Sequence, residues 1–518
     1  MTKLKEYKMF IDGSWVESES KKTFETLNPE NNEPWAKVPE ASAKDVDKAV
    51  RAAQKAFEGE WPKLLPRERG KFLRSIGNQL RENAELLGKI ETIDTGKLFR
   101  ETNKQANYIA EYYDYYAGLA DKVEGTVLPI DKPNFQAITT RIPIGVVAAI
   151  VPWNSQMLLT ATKLAPALAM GNTVIIKCSE LAPAVMFEFA KLIEKTGIPK
   201  GVVNVISGFG DPCGKALTSH NLVEKVAFTG GPETARHIIR NSAENLSEVS
   251  LELGGKSPVA VFEDANQENA INGITAGIFG ATGQSCIAGS RLYIQNNIYE
   301  EFLNKLTKRA EKIKIGAPMD ADTEMGPLSN FKQLETIEKN IKLTVDQGGK
   351  IKCGGKRHSF SNKGYYFPPT IIECDNHNLP TAENELFGPV LSVMKFNSED
   401  EVIKKTPRNG FMITYMSAIV QLIDSLGNKK MQVVKYVLNN MDKSTNTLII
   451  TTRELAIKSD VSIKTVIETL KVLEEAQIIV RKTGAIMIHS SLVHRGGESK
   501  EQYLLARFQE WENDGLNI

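Results

Sequence analysis

The sequence predicts an α/β protein of doubly wound parallel sheets, followed by a small winged helix-turn-helix unit with its own α/β texture. Three observations carry that expectation. Arg141 to Ala281 alternates short, largely apolar strand-like runs with helix-like segments, the texture of a parallel sheet covered on both faces. Near Lys404 this texture stops at Thr406-Pro407-Arg408-Asn409-Gly410, a helix-ending, turn-like run. Toward the C-terminus the order becomes helix, tight turn, helix, basic hairpin. A chain of 518 residues also exceeds one ordinary domain.

Taken in order, Phe10 to about Ala36 alternates apolar runs with the turn signals Asp12-Gly13 and Asn28-Pro29, which predicts strands and hairpins. Ser42 to about Tyr116 has helical periodicity and many charges, with one helix starting at Ala43 and the next at Pro66. Strands are expected at Val146–Val151, Thr173–Lys177, Val202–Ile206 and Val226–Thr229, with a helix over Ala182–Thr196. In such a sheet ligands sit at the carboxyl ends of the strands. Pro152-Trp153-Asn154, Cys178-Ser179-Glu180 and Gly230-Gly231 occupy those ends. Two glycine clusters can open a helix toward a pyrophosphate: Gly208-Phe209-Gly210 with Gly214, and Phe228-Thr229-Gly230-Gly231. An ordinary βα turn explains the first about as well.

Composition narrows the class. Hydrophobic content of 42% and charged content of 25% are those of a soluble globular protein, and a net charge of +1 points to no partner. From Lys405 onward 15 Lys and Arg face 12 Asp and Glu, a weak basic excess. Five widely spaced cysteines without a Cys-x-x-Cys indicate a reducing compartment, and six histidines without ligand spacing argue against a metal. With neither a signal-peptide core nor a membrane-length apolar run, the expected location is the cytoplasm.

The chemistry concentrates between Glu252 and Cys286. A thiol and a carboxylate at opposite ends of one β-α unit can converge on one pocket, giving a soft nucleophile and a base to activate water. In isolation, Cys286 as a small core residue and Glu252 as a surface acid are the better explanation. Other motifs in register reverse that balance. Pro152-Trp153-Asn154, Lys177-x-Ser179-Glu180, Phe228-Thr229-Gly230, Glu252-Leu253-Gly254-Gly255-Lys256, Gly283-Gln284-x-Cys286 and Glu385-Leu386-Phe387-Gly388-Pro389-Val390 occur in the order and spacing of the NAD(P)-dependent aldehyde dehydrogenase superfamily. Residues 8 to 404 carry the resemblance.

The resemblance implies that Cys286 attacks an aldehyde carbon as thiolate. Asn154 and the Cys286 backbone N–H would hold the oxyanion, hydride would pass to the nicotinamide, and Glu252 would activate water against the thioester. Trp153, Lys177, Glu180, Gly210, Gly214, Phe228, Thr229, Gly230, Gly231 and Leu253 would line the cofactor site. Glu385 would hold the nicotinamide ribose, with Phe387 beside it. A carboxylate at Glu180 repels a 2′-phosphate, so NAD is expected over NADP. Glu252 favours a free acid over a CoA thioester. The implied domains are an NAD-binding domain at 1–252, with an oligomerisation-type arm at 124–144, and a catalytic domain at 253–404. The chain departs from the family at Cys178 for a proline, Gly231 for a serine, Ala235 for a glycine, and Ser155-Gln156 for an aromatic and a proline.

The larger departure is at 404, where the family continues for roughly 90 residues that complete the catalytic domain and an oligomerisation strand. After a junction at 405–411, the segment 412–518 takes over. Ile413–Leu426 and Met431–Asn440 have helical periodicity, and Thr451-x-x-Glu454 is a capping box opening a short helix. The next helix runs to about Ala476 with the apolar stripe Val466, Leu470 and Leu473, before a hairpin over Ile478–Ile488. Thr451-Thr452-Arg453-Glu454-Leu455-Ala456, Thr469-Leu470-Lys471-Val472-Leu473-Glu474-Glu475 and Arg481-Lys482-Thr483-Gly484 resemble the Firmicute plasmid replication proteins of the RepL type. That resemblance implies binding at a plasmid origin, with Lys464, Lys471, Arg481 and Lys482 as candidate DNA contacts. A protein-binding winged helix is the alternative. Tyr503–Trp511 is expected to be helical, as a dimer contact. Two functions are thus expected: aldehyde oxidation with an appended DNA-binding unit, or a plasmid replication protein whose truncated enzyme part is an inert chimeric remnant.

Overall fold

A computed structural model of the chain describes residues 4–404 apart from 359 and 362, and thereafter 412–414, 428–442, 446–475, 478–482, 484–489, 493–495 and 508. Two compact units result, Met1–Asn397 and Ser398–Ile518.

Near the start of the first unit lies the hairpin β1 (Met9–Ile11) and β2 (Ser14–Val16). Asp12 and Gly13 between them both have positive φ, 51° and 67°, as a two-residue hairpin turn requires. After a second antiparallel pair, Thr23–Asn28 with Glu33–Pro39, come four helices: α1 (Ala43–Glu58), α2 (Pro66–Glu82), α3 (Ala84–Thr95) and α4 (Phe99–Leu119). Ser42 and Asp45 close a capping box on α1, and Pro66 starts α2 where a missing N–H costs nothing. These helices wrap a sheet. Leu73, Ile76, Leu80, Ile109 and Tyr113 share one core with Val147, Val174 and Ile176.

That sheet contains β3 (Val146–Ile150), β4 (Thr173–Lys177), β5 (Val203–Ile206), β6 (Lys225–Thr229) and β7 (Glu248–Glu252), all parallel. Its order is β7-β6-β3-β4-β5-β1-β2, with the N-terminal hairpin added antiparallel at one edge. The crossovers include α5 (Gln156–Ala169), α6 (Ala184–Lys195) and α7 (Pro232–Ser242). Helix α6 starts two residues later than the periodicity suggests, because Pro183 holds the N-cap position and biases Ala182 to extended backbone. The strand order reverses between β3 and β6, so a crevice opens there at the carboxyl ends.

A second sheet, of order β8-β9-β12-β11-β10, comprises β8 (Pro258–Val261), β9 (Arg291–Gln295), β10 (Lys350–Cys353), β11 (Thr370–Glu373) and β12 (Val390–Phe396). Helices α8 (Gln267–Phe279) and α9 (Tyr299–Glu311) pack their apolar faces on it through Ile278, Phe302, Leu303 and Leu306, and α10 (Phe331–Asp346) comes after them in the chain. Between α4 and β3 a two-stranded ribbon pairs Val127–Leu128 with Ala137–Ile138. It leaves Val127, Phe135, Ile138 and Ile142 exposed.

In the second unit, α11 (Asn428–Asn440), α12 (Thr452–Lys458) and α13 (Ile463–Glu475) enclose a core with Val433, Leu455, Val466, Leu470 and Leu473. Thr451 and Glu454 form the capping box the sequence announces. A three-stranded sheet of order β13-β15-β14 completes it, from β13 (Thr447–Ile449), β14 (Ile479–Lys482) and β15 (Ala485–Ile488). Two differences from expectation stand out. The run Thr447-Leu448-Ile449 becomes a third strand that the helix-and-hairpin reading did not include. Met412–Thr414 is a strand paired with Val493–Arg495, not the start of a helix, since Ile413 and Thr414 are β-branched and meet a strand partner. The rest of the proposed 413–426 helix lies outside the described residues. So does the proposed 503–511 helix, except Phe508, which is buried against Met487.

Candidate active site

The carboxyl ends of the central strands lie level. Ile150 is in register with Lys177 and with Phe228, and Thr229 with Glu252. The residues beyond these ends therefore face a common crevice. A cavity of about 660 Å³ opens there, within the range of small-molecule sites. Trp153, Lys177, Glu180, Gly210, Gly214, Phe228, Thr229, Gly230 and Gly231 all line it, so the two glycine clusters serve one site. Only the second opens a substantial helix. Gly230-Gly231 leads into the eleven-residue α7, whereas Lys215–Thr218 has four residues. A side chain built on Gly210 or Gly231 would point into open space, so the glycines keep this wall clear. The Lys177 ammonium is buried at the cavity wall, 3.1 Å from the Cys178 carbonyl and 3.8 Å from the Glu180 carboxylate. A clear glycine wall, a helix N-terminus and a Lys–Glu pair lining one cavity fit a dinucleotide.

A second cavity, of about 530 Å³, contains both Cys286 and Glu252. It shares Phe228 and Thr229 with the first, so the two are separated by little more than the end of β6. Leu253 belongs to this thiol cavity and not to the first cavity, where the sequence reading put it. The thiol is free and exposed, and Ile287 next to it is 81% exposed. Backbone conformation brings Cys286 here. Ala281 and Thr282 have φ of 47° and 57°, and Gly283 has 71°. Left-handed backbone at a β-branched residue costs of order 1 kcal/mol, held here by the Thr282 hydroxyl donating to the Gly326 carbonyl. Any side chain at Gly283 would strike the Gly388 backbone.

Asn154 lines neither cavity. It is buried, and its amide donates to the Gln284 carbonyl at 3.0 Å, two residues before Cys286. An amide has a second N–H, which this bond leaves available. Glu385 also lies outside the first cavity, in a small recess with Lys256 and Phe387. The Glu385 carboxylate packs over Gly254, where any side chain would displace it. Burial pushes its carboxyl up, opposed by the Gly255 N–H and the Lys256 ammonium. Phe387, in left-handed backbone at φ 52°, meets the Trp153 ring edge-on at 5.3 Å and so ties this recess to the first cavity.

Two further residues join the site. Lys163 lines the thiol cavity and donates to the Thr229 hydroxyl at 2.5 Å. Burial pulls its ammonium down to about 8, against the opposing pull of Glu252. Its place on α5, nine residues past Asn154, carries no motif signal. Gln284 is buried and accepts from the Ser329 N–H at 2.8 Å, which pins the thiol loop. Its position inside Gly283-Gln284-x-Cys286 was the available signal.

In the second unit Lys464, Lys471 and Lys482 are exposed. Arg481 is half-buried and forks onto the Glu474 carboxylate at 2.6 and 2.5 Å, tying the hairpin to α13. Among the described residues no cluster of His, Cys, Asp and Glu could hold a metal, and no helix is long and apolar enough to cross a membrane.

Comparison with known proteins agrees with this geometry. Residues 15–411 match the model of the aldehyde dehydrogenase family, and residues 396–517 that of the Firmicute plasmid replication protein (RepL). The (Z)-2-((N-methylformamido)methylene)-5-hydroxybutyrolactone dehydrogenase of Acinetobacter baylyi is 51% identical over 404 residues, 78% of this chain and 82% of that protein. The structure of betaine aldehyde dehydrogenase from Staphylococcus aureus in complex with NAD+ is similar at a TM-score of 0.75 and 39% identity, over 76% of this chain and 79% of that one. A 3,6-anhydro-L-galactose dehydrogenase in complex with NADP gives a TM-score of 0.75 at 33% identity, over 77% and 84%. The protein therefore belongs to the aldehyde dehydrogenase family of NAD(P)-dependent enzymes, with a segment similar to RepL at its C-terminal end.

Proposed function

We propose that the first unit oxidises an aldehyde to a carboxylic acid with NAD, through a thioester on Cys286. One observation carries this: Cys286 and Glu252 line a single cavity that shares Phe228 and Thr229 with the dinucleotide-sized crevice. The Cys286 thiolate adds to the aldehyde carbon, and the resulting oxyanion takes hydrogen bonds from the free N–H of Asn154 and the Cys286 backbone. Bound NAD supplies the hydride acceptor. Loss of hydride from the thiohemiacetal carbon leaves the thioester. Glu252 then takes a proton from water, the hydroxide displaces the thiolate, and the acid leaves. A water-activating carboxylate favours the free acid over transfer to CoA. Lys177 and Glu180 would hold the adenine ribose, and the Glu180 carboxylate, close to where a 2′-phosphate would lie, disfavours NADP. Glu385 would grip the nicotinamide ribose after a swing out of its recess. All five cysteines are free, which supports a reducing cytoplasm. The exposed ribbon at 127–138 supports pairing with a second copy. NADH formation across a panel of aldehydes, with NAD and NADP compared, tests the activity; a folded chain inert toward the whole panel overturns it.

For the second unit we propose DNA binding at a plasmid origin. The order of α12, tight turn, α13 and hairpin supports it, as do exposed Lys464 and Lys471 on α13 and Lys482 on the hairpin. The exposure of Cys286 and Ile287 favours a second reading, in which this unit is the working part and the enzymatic unit is inert. Salt-dependent binding to an origin duplex, without aldehyde turnover, would select the second reading.

A further inference from the structure

The dipeptide after Asn154 has a structural role that the reaction scheme does not use. Ser155 holds the N-cap position of α5, yet its hydroxyl does not cap the helix. It accepts instead from the Lys97 ammonium at 3.1 Å. Lys97 is itself buried, and reaches Gln105 at 3.2 Å and Glu91 at 3.5 Å. Gln156, the first residue of α5, is fully buried. Its side-chain carbonyl accepts from the backbone N–H of Ser179 at 3.2 Å, across 23 residues of sequence. Ser179 lies between Lys177 and Glu180 and lines the cofactor cavity with them.

Residues 154–156 thus fasten three separate parts of the site. Asn154 holds the thiol loop, Ser155 a buried lysine, and Gln156 the Lys177–Glu180 loop. The arrangement is not the easiest one for a helix start. The Gln156 amide nitrogen is buried without a hydrogen-bond partner, which is unfavourable. An apolar residue or a proline at the first helical position would avoid that. What the glutamine provides is the acceptor for Ser179.

We propose that Gln156 is a positioning residue that couples the Lys177–Glu180 loop at the adenosine end of the cofactor cavity to the loop carrying Asn154. This rests on the assignment of that cavity to NAD. Its side chain fixes the Ser179 backbone, and the same residue starts α5 two residues after Asn154, so a shift of either loop is felt by the other. Gln156→Met keeps length and packing but removes the acceptor; Gln156→Glu keeps an acceptor oxygen at the same reach.

The test is calorimetric titration of the full-length chain with NAD and, separately, with ADP as the adenosine half alone, alongside kcat. Gln156→Met should weaken both ligands about tenfold, the size of one net hydrogen bond, and lower kcat at saturating NAD. Gln156→Glu should bind both within about twofold of the wild type. Should Gln156→Met fail to fold, Gln156→Pro replaces it, since the ring suits this position. Unchanged affinity for both ligands in the acceptor-free variant overturns the proposal, as does weakening that Gln156→Glu does not restore. A wild-type chain that binds neither ligand overturns the NAD assignment, and this coupling with it.

Discussion

Asn154 donates its side-chain amide to the carbonyl of Gln284, two residues before Cys286, at 3.0 Å. One bond thus fixes the distance between the proposed oxyanion donor and the loop that carries the thiol. Asn154→Ala removes the donor and loosens the thiol loop together. The expected result is a fall in kcat of about 10²–10³-fold, the usual cost of one such donor, with NAD affinity unchanged in a binding titration. A kcat within threefold of the wild type rules out the oxyanion role.

Cys286 and Glu252 should separate cleanly in kinetics. Cys286→Ala should abolish NADH formation while leaving NAD binding intact. Glu252→Gln should still give a first-turnover burst of NADH and then stall, since the thioester forms but water is not activated. Mass spectrometry of the quenched Glu252→Gln protein should find the acyl group on Cys286. A variant with a full steady-state rate would remove Glu252 from the hydrolytic step.

Gly254→Ala should act through Glu385. The added methyl occupies the space that the Glu385 carboxylate now fills, so the carboxylate must leave its recess and the Gly255 N–H. Gly254→Ala is expected to change NAD affinity in the wild-type background and to add nothing further in the Glu385→Ala background. Additive effects of the two substitutions would break the link.

Stability should rise with pH through the range where Lys163 and Lys256 lose their protons. Burial pulls both down to about 8 from the usual 10.5. Between those values the unfolded chain binds more protons than the folded one, so unfolding free energy increases with pH. The cost of burying the ammonium is complete below about pH 8 and is relieved as pH climbs to about 10.5. Urea midpoints of the wild type and of Lys163→Met, compared between pH 7.5 and 10, should converge on the alkaline side. Parallel curves would show that the lysine is not desolvated in the folded protein.

Charge reversal of Lys464 and Lys482 to Glu should weaken binding to an origin duplex and flatten its salt dependence by about one per lost phosphate contact, read by fluorescence anisotropy. Arg481 should behave differently, because its guanidinium is forked onto Glu474. Arg481→Ala is expected to loosen the hairpin as well as any DNA contact, so it should lower the stability of the second unit where Lys464→Ala, at an exposed lysine, does not. Equal stability of the two variants would deny the fork a structural role.

By itself the sequence determined the parallel-sheet class, the four strands ending at the crevice, the capping box at Thr451, and the pair Glu252 and Cys286. These are local signals: strand runs, caps and motif spacing are written in neighbouring residues. Tertiary structure decided which groups meet. The two glycine clusters lie in one cavity, Leu253 lines the cavity of the thiol instead, and Lys163 enters that cavity from α5. Glu385 withdraws over Gly254, and Gln156 reaches Ser179 across 23 residues. No local pattern encodes such contacts, because they arise only where separate strands end level with one another. Arg481, a free cation on paper, became a partner of Glu474 for the same reason: the hairpin folds back along α13 and brings opposite charges together.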